Sequence, residues 1–202
     1  MNIRTVLATA VAWIGLSGCY YPQYFDVTWD EPVRLQDGSV ITVNFKFTHE
    51  RLSRLSRYER AILRDTTMSF DAGPPFGHVS QVFNRMQPVL LNKYEGNWYA
   101  VIVPRGSGDV PAISGQDWGP WQNALGQWPL KLTANGFKTI PIAEFPDAIV
   151  EQNLIRNVPP DEMAELDKKQ LDLSTKQSLV GKHVLHPDDR TLKKSRITST
   201  VQ

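Results

Sequence analysis

Val27-Thr28-Trp29-Asp30-Glu31-Pro32-Val33-Arg34-Leu35-Gln36-Asp37-Gly38-Ser39-Val40-Ile41-Thr42-Val43-Asn44-Phe45-Lys46-Phe47 decides the fold class. Val27, Trp29, Val33 and Leu35 lie two or four residues apart, and Ile41, Val43, Phe45 and Phe47 alternate with Val40, Thr42, Asn44 and Lys46. Period two is the signature of a strand with one buried face. Asp37-Gly38 between two such runs marks a hairpin, because the turn requires positive φ that Asp and Gly tolerate. Pro32 has no N–H to give to a ladder, which predicts an edge or a bulge there.

The same grammar recurs downstream. Pro88-Val89-Leu90-Leu91 leads through Glu95-Gly96-Asn97 into Trp98–Val103, and Pro129-Leu130-Lys131-Leu132 leads through Asn135-Gly136 into Phe137–Ile142. Thr66–Phe70 reads as a further strand. Several short strands separated by turn signals predict a mainly β body of antiparallel hairpins, in a sheet or sandwich, over residues 26–145. Residues 50–64 break the pattern. Leu52, Leu55, Tyr58 and Ile62 share one helical face and Arg54, Arg57, Arg60 and Arg64 the other, which predicts a short amphipathic helix inserted between strands. Two roles are open to its arginines: contact with an anionic surface such as lipid headgroups, or a solvated outer face over a packed stripe.

No Phe, Trp or Tyr follows Phe145, although the chain holds 8, 6 and 6 of them. Residues 146–202 are therefore expected to add little to the core. Pro159-Pro160-Asp161-Glu162 predicts a helix start, with acidic residues where the helix dipole favours them, running to about Leu173. Beyond Gly181 the charged and hydroxylated sequence predicts a mobile tail.

Working towards the N-terminus, Arg4 precedes an uncharged apolar run, Val6–Leu16, which ends in Leu16-Ser17-Gly18-Cys19. A helix of that length reaches roughly 16 Å, about half of a hydrocarbon core, so it is too short for a permanent span and has the order of parts of a secretory signal. The four-residue ending resembles the lipobox of bacterial lipoproteins. That resemblance implies cleavage before Cys19, removal of residues 1–18, and a diacylglycerol and palmitate-type acylation on the cysteine. Tyr20 after it, rather than Asp, implies sorting to the outer membrane, facing the periplasm. Residues 19–25 form the tether, and Tyr20-Tyr21-Pro22-Gln23-Tyr24-Phe25 either dips its rings into the interface or starts the fold. The body is also similar to small proteobacterial lipoproteins, through Trp29-Asp30-Glu31, Asp37-Gly38 and the hairpin series. This second likeness implies no functional residue beyond Cys19.

The chain has 202 residues, room for one ordinary domain. With 22 Lys and Arg against 21 Asp and Glu there is no global field to draw nucleic acid. One cysteine excludes an internal disulfide framework and a multi-cysteine zinc site. His183-x-x-His186 falls in the expected tail, and Gly106-x-Gly108 lacks the Lys-Ser/Thr of a phosphate loop. No Gly-x-Ser-x-Gly occurs. His49 and His78 sit in turn-like sequence, and Asp71 and Asp117 are the carboxylates open to acid chemistry. The expectation is a non-catalytic envelope protein without metal or cofactor. Its partners are a membrane, through lipid, and an envelope protein or glycan. The alternative is a glycan- or peptidoglycan-binding module, with or without hydrolysis. It would use Trp118, Trp121 and Trp128, whose rings either stack on sugars or fill the core.

Overall fold

The computed structural model describes residues 23–51, 61–104, 127–149, 152–155, 160–176 and 179. Nine strands form two sheets: β1 Gln23–Arg34, β2 Val40–Arg51, β3 Ala61–Asp71, β4 His78–Asn84, β5 Met86–Tyr94, β6 Asn97–Pro104, β7 Trp128–Thr133, β8 Gly136–Thr139 and β9 Lys169–Gln170. The first sheet has the order β4-β3-β2-β1-β9 and the second β5-β6-β7-β8. Every pairing is antiparallel except that of β9 with β1. The chain passes from the first sheet to the second at one residue, Arg85, whose N–H donates to the Arg64 carbonyl at 2.6 Å.

The opening hairpin forms as its alternation requires. Trp29 pairs with Phe45 and Val27 with Phe47, and all four are buried. Their rings interlock at 4.7 Å (Trp29 to Phe47) and 5.4 Å (Trp29 to Phe45). At the turn, Gly38 has φ 85°, and the Asp37 carboxylate accepts from the Ser39 hydroxyl at 2.6 Å and the Ser39 N–H at 2.9 Å. Those bonds hold the Asp37 carboxyl below the usual carboxylate range. The outer face of this sheet is polar, with Asp26, Asp30, Asn44, Lys46, Thr48, Ser69 and Ser80 bonded across strands.

The two sheets share one core: Trp29, Phe45, Met68 and Phe83 from the first meet Trp98, Ile102, Trp128 and Leu130 from the second. The Trp98 ring lies 4.9 Å from Phe70, and its N–H donates to the Ala72 carbonyl at 3.0 Å. β5 and β6 are buried on both faces over most of their length, which explains why Val89–Leu91 and Trp98–Val103 read as unbroken apolar runs. Tyr99, Val101 and Val103 turn away from the first sheet and pack under Phe145 and Ile149. Ile140–Ile142, expected to continue β8, instead leaves the sheet at Thr139 into a 3-10 turn, Ile142–Glu144, that carries this cover.

Where β4 crosses β8, Gly136 has φ 88°, and a Cβ there would stand 2.5 Å from Gln81 Oε1. Gln81 Oε1 also accepts from the Phe137 N–H at 3.3 Å. Gly136→Ala is expected to cost more than about 1 kcal/mol, seen as a lower urea midpoint. An unchanged midpoint would contradict this packing of β4 on β8.

Two expectations need correction. The helical reading of 50–64 fails at both ends, because Glu50 and Arg51 belong to β2 and residues 61–64 to β3. His49, Glu50 and Arg51 pair with Leu63, Ile62 and Ala61, and β-pairing with burial of His49 and Leu63 overrides the helical spacing. Residues 52–60 lie outside the described residues. The expectation that residues beyond 145 add little to the core is overturned for 146–176. Ile149, Leu154, Ile155, Leu166 and Leu171 are all buried. Aliphatic rather than aromatic side chains do this packing, so a count of rings missed it. The predicted helix starts at Pro160 but ends at Leu166, and β9 follows.

This C-terminal segment covers part of one edge of each sheet, at β1 and at β5. The Lys168 and Leu171 N–H groups donate to the carbonyls of Thr28 and Asp30 along β1. On β5, the Leu154 N–H donates to the Val89 carbonyl, while the Asn153 side chain accepts from the Leu91 N–H and donates to its carbonyl. An uncovered edge is a template for unwanted pairing, and these contacts shorten the exposed stretch. Pro32 fits its expected place, since its carbonyl faces the side of β1 that β9 covers only at Trp29 and Asp30.

Candidate functional site

Along the inward face of β1, Val27 and Trp29 are followed by an acid, Glu31, which is fully buried. Its carboxylate accepts from the Trp29 indole N–H at 3.1 Å and the Ile155 N–H at 2.9 Å, and pairs with Lys176 Nζ at 2.9 Å. Lys176 also donates to the carbonyls of Pro32 at 2.7 Å and Asn153 at 2.5 Å. An ammonium has three donors, and all three are used. The lysine is delivered by one helical turn over residues 173–176, whose start is capped by Asp172: its carboxylate accepts from Ser174 Oγ and from the Thr175 N–H. Those bonds hold the Asp172 carboxyl below its usual range.

Immediately beyond Glu31, at the turn end of the first hairpin, lies a pocket of about 360 Å³ between the end of β1, β5 and the residues Ala148, Ile149, Gln152 and Asn153. Leu35 and Ile149, both buried, give it an apolar floor. Its polar lining includes Arg34, Gln36, Asn92, Gln152 and Asn153. Most of these groups are committed to the walls. Asn92 Oδ1 accepts from the Gln36 and Lys93 N–H groups, and the Gln36 amide donates to the Ala148 carbonyl. Asn153 bridges the Arg34 carbonyl to β5. The Glu31–Lys176 pair grips the Asn153 carbonyl, so the buried charges hold one wall of the pocket in place. Arg34 and Gln152 stand apart. The Arg34 guanidinium is exposed and makes no ion pair among the described residues, and Gln152 Nε2 is buried without an acceptor.

The other end of β1 carries different chemistry. Gln23 pairs with Arg51, and Arg51 with Ala61, so the chain enters and leaves residues 52–60 beside the start of β1. Tyr24 and Ile62, in one row with Glu50, are 58% and 38% exposed there. Arg64, expected on a helical basic face, lies on β3 and is ion-paired with Glu50, which spends its charge locally. Arg54, Arg57 and Arg60 lie outside the described residues, as do Cys19, Trp118, Trp121, Asp117, His183 and His186.

Trp128 is 3% exposed in the shared core and offers no ring face to a sugar, so a glycan reading of its segment rests on Trp118 and Trp121. His49 and His78, read as turn residues, stand in β2 and β4, and the buried His49 ring stacks on Phe25 at 5.2 Å. Asp71 accepts from the Gly73 N–H at 2.9 Å, which makes it the cap of the turn after β3. Among the described residues no group of three or more His, Cys, Asp or Glu could hold a metal ion, and no helix is long and apolar enough to cross a membrane. The Glu31–Lys176 pair and the pocket were missed from sequence. An acid at an inward position of an alternating strand was the signal that could have found the pair. Comparison with protein-family models, curated proteins and solved structures gives no match.

Proposed function

We propose that this chain is an envelope lipoprotein, acylated on Cys19 after removal of residues 1–18, whose β body has a non-catalytic binding or structural role at a membrane, in the periplasm. The observation that carries the reading is Leu16-Ser17-Gly18-Cys19 at the end of an uncharged apolar run. Two or more acyl chains give stable anchoring where one does not. The fold supports the reading through distance. β1 begins at Gln23, four residues after Cys19, and even fully extended that link reaches only about 14 Å. The Gln23 end of the first sheet then faces the bilayer. At about 3.3 Å per residue the twelve residues of β1 place the pocket about 40 Å further out, on the side open to partners.

In this orientation Arg54, Arg57 and Arg60 belong to a segment that both leaves and rejoins the sheet beside the anchor, next to exposed Tyr24 and Ile62. A basic segment close to anionic headgroups contributes about 1 kcal/mol per Lys or Arg. Residues 20–202, which lack both the lipid and the apolar run Val6–Leu16, are expected to sediment with phosphatidylglycerol-containing vesicles. They should not do so with pure phosphatidylcholine, and binding should weaken as salt is raised. Replacing Arg54, Arg57 and Arg60 by Gln is expected to abolish that binding. Equal sedimentation of both chains would assign the arginines to a solvated face.

A further inference from the structure

The pocket at the end of β1 is unlike a gap left by poor packing, because its walls are built. Asn92, Asn153 and Gln36 hold its three sides with six hydrogen bonds between 2.7 and 3.0 Å, and the buried Lys176 fixes the Asn153 carbonyl behind it. Leu35 and Ile149 form an apolar floor. Among the described residues, the exposed Arg34 guanidinium at the rim has no anion and the buried Gln152 Nε2 has no acceptor, and both of these groups are donors. A buried donor without a partner costs about 1–3 kcal/mol, a penalty that an incoming acceptor would lift.

We infer that this pocket binds a small carboxylate with an apolar tail: the tail against Leu35 and Ile149, the carboxylate on Arg34 and Gln152. The planar guanidinium matches a carboxylate's two oxygens, and a pocket of about 360 Å³ lies in the lower part of the range of small-molecule sites. The inference does not depend on lipidation of Cys19, so either can fail alone.

The test uses the full chain in detergent micelles with two probes: N-acetylleucine, which has the tail and the charge, and N-acetylleucinamide, which lacks the charge. Backbone amide shifts of Gln36, Asn92 and Gln152 should saturate with the acid, and the amide should bind about tenfold or more weaker. Arg34→Gln, at an exposed position that leaves the fold intact, should reduce affinity for the acid to a similar degree. Gln152→Leu should weaken binding while leaving thermal stability unchanged or raised, since it removes an unpaired buried donor; a purely structural role for Gln152 would lower stability instead. Absence of saturable binding, equal affinity for acid and amide, or an unaltered affinity in Arg34→Gln would overturn the inference.

Discussion

Lys176→Met is expected to lower the unfolding free energy by about 3–5 kcal/mol, because it strands a buried carboxylate. Methionine matches the lysine in length and keeps the apolar stem packed, so the loss isolates the charge. In the native protein Glu31 is fully buried and Lys176 7% exposed, the ammonium donates to the Asn153 carbonyl, and the Glu31 carboxylate accepts from the Ile155 N–H. After the substitution Glu31 keeps only the Trp29 and Ile155 donors, and the Pro32 and Asn153 carbonyls lose a charged partner. Urea unfolding of the full chain measures the effect as a lower midpoint with little change in slope. The double variant Glu31→Gln with Lys176→Met is expected to lose clearly less than the sum of the single losses, since neither charge is then left alone. A loss below about 1 kcal/mol in Lys176→Met would mean that the pair is not internal and that the C-terminal segment is a loose appendage.

The contrast between that segment and the hairpins shows what was legible beforehand. Hairpin formation is local: alternation sets the face, and Asp37-Gly38, Gly96 and Asn135-Gly136 set the turns, so β1–β2, β5–β6 and β7–β8 follow from short windows. The pairing of β9 with β1 joins residues about 140 positions apart through two residues, Lys169 and Gln170, and no short window contains it. The two ends of residues 50–64 mislead for a related reason. Their helical spacing is real, but Glu50 and Arg64 have partners only across strands, in an ion pair that needs the β2–β3 register to exist. The pocket was illegible because its lining comes from the end of β1, from Asn92 on β5 and from Ala148, Ile149, Gln152 and Asn153, brought together only by the cover on the second sheet.

Cys19→Ser is expected to move most of the protein from the membrane fraction to the soluble fraction, and what stays behind is expected to be extractable by salt. Hydroxyl cannot form the thioether, and the acyl chains contribute about 0.8 kcal/mol per buried CH₂, so their loss outweighs any surface contact through Arg54, Arg57 and Arg60. Incorporation of a fatty-acid analogue should vanish in the same variant. The body should fold unchanged, because among the described residues the core begins with Phe25 and Val27, beyond Cys19. Circular dichroism of the released protein should therefore retain its β spectrum. Unchanged fractionation with unchanged labelling would place the attachment elsewhere in the chain.

The most direct measurement is the mass of the mature N-terminal peptide, taken from the protein extracted from membranes. The account predicts a chain that starts at Cys19 and carries a diacylglyceryl group on its sulfur. A chain that retains residues before Cys19, or starts there with a free thiol, would contradict it.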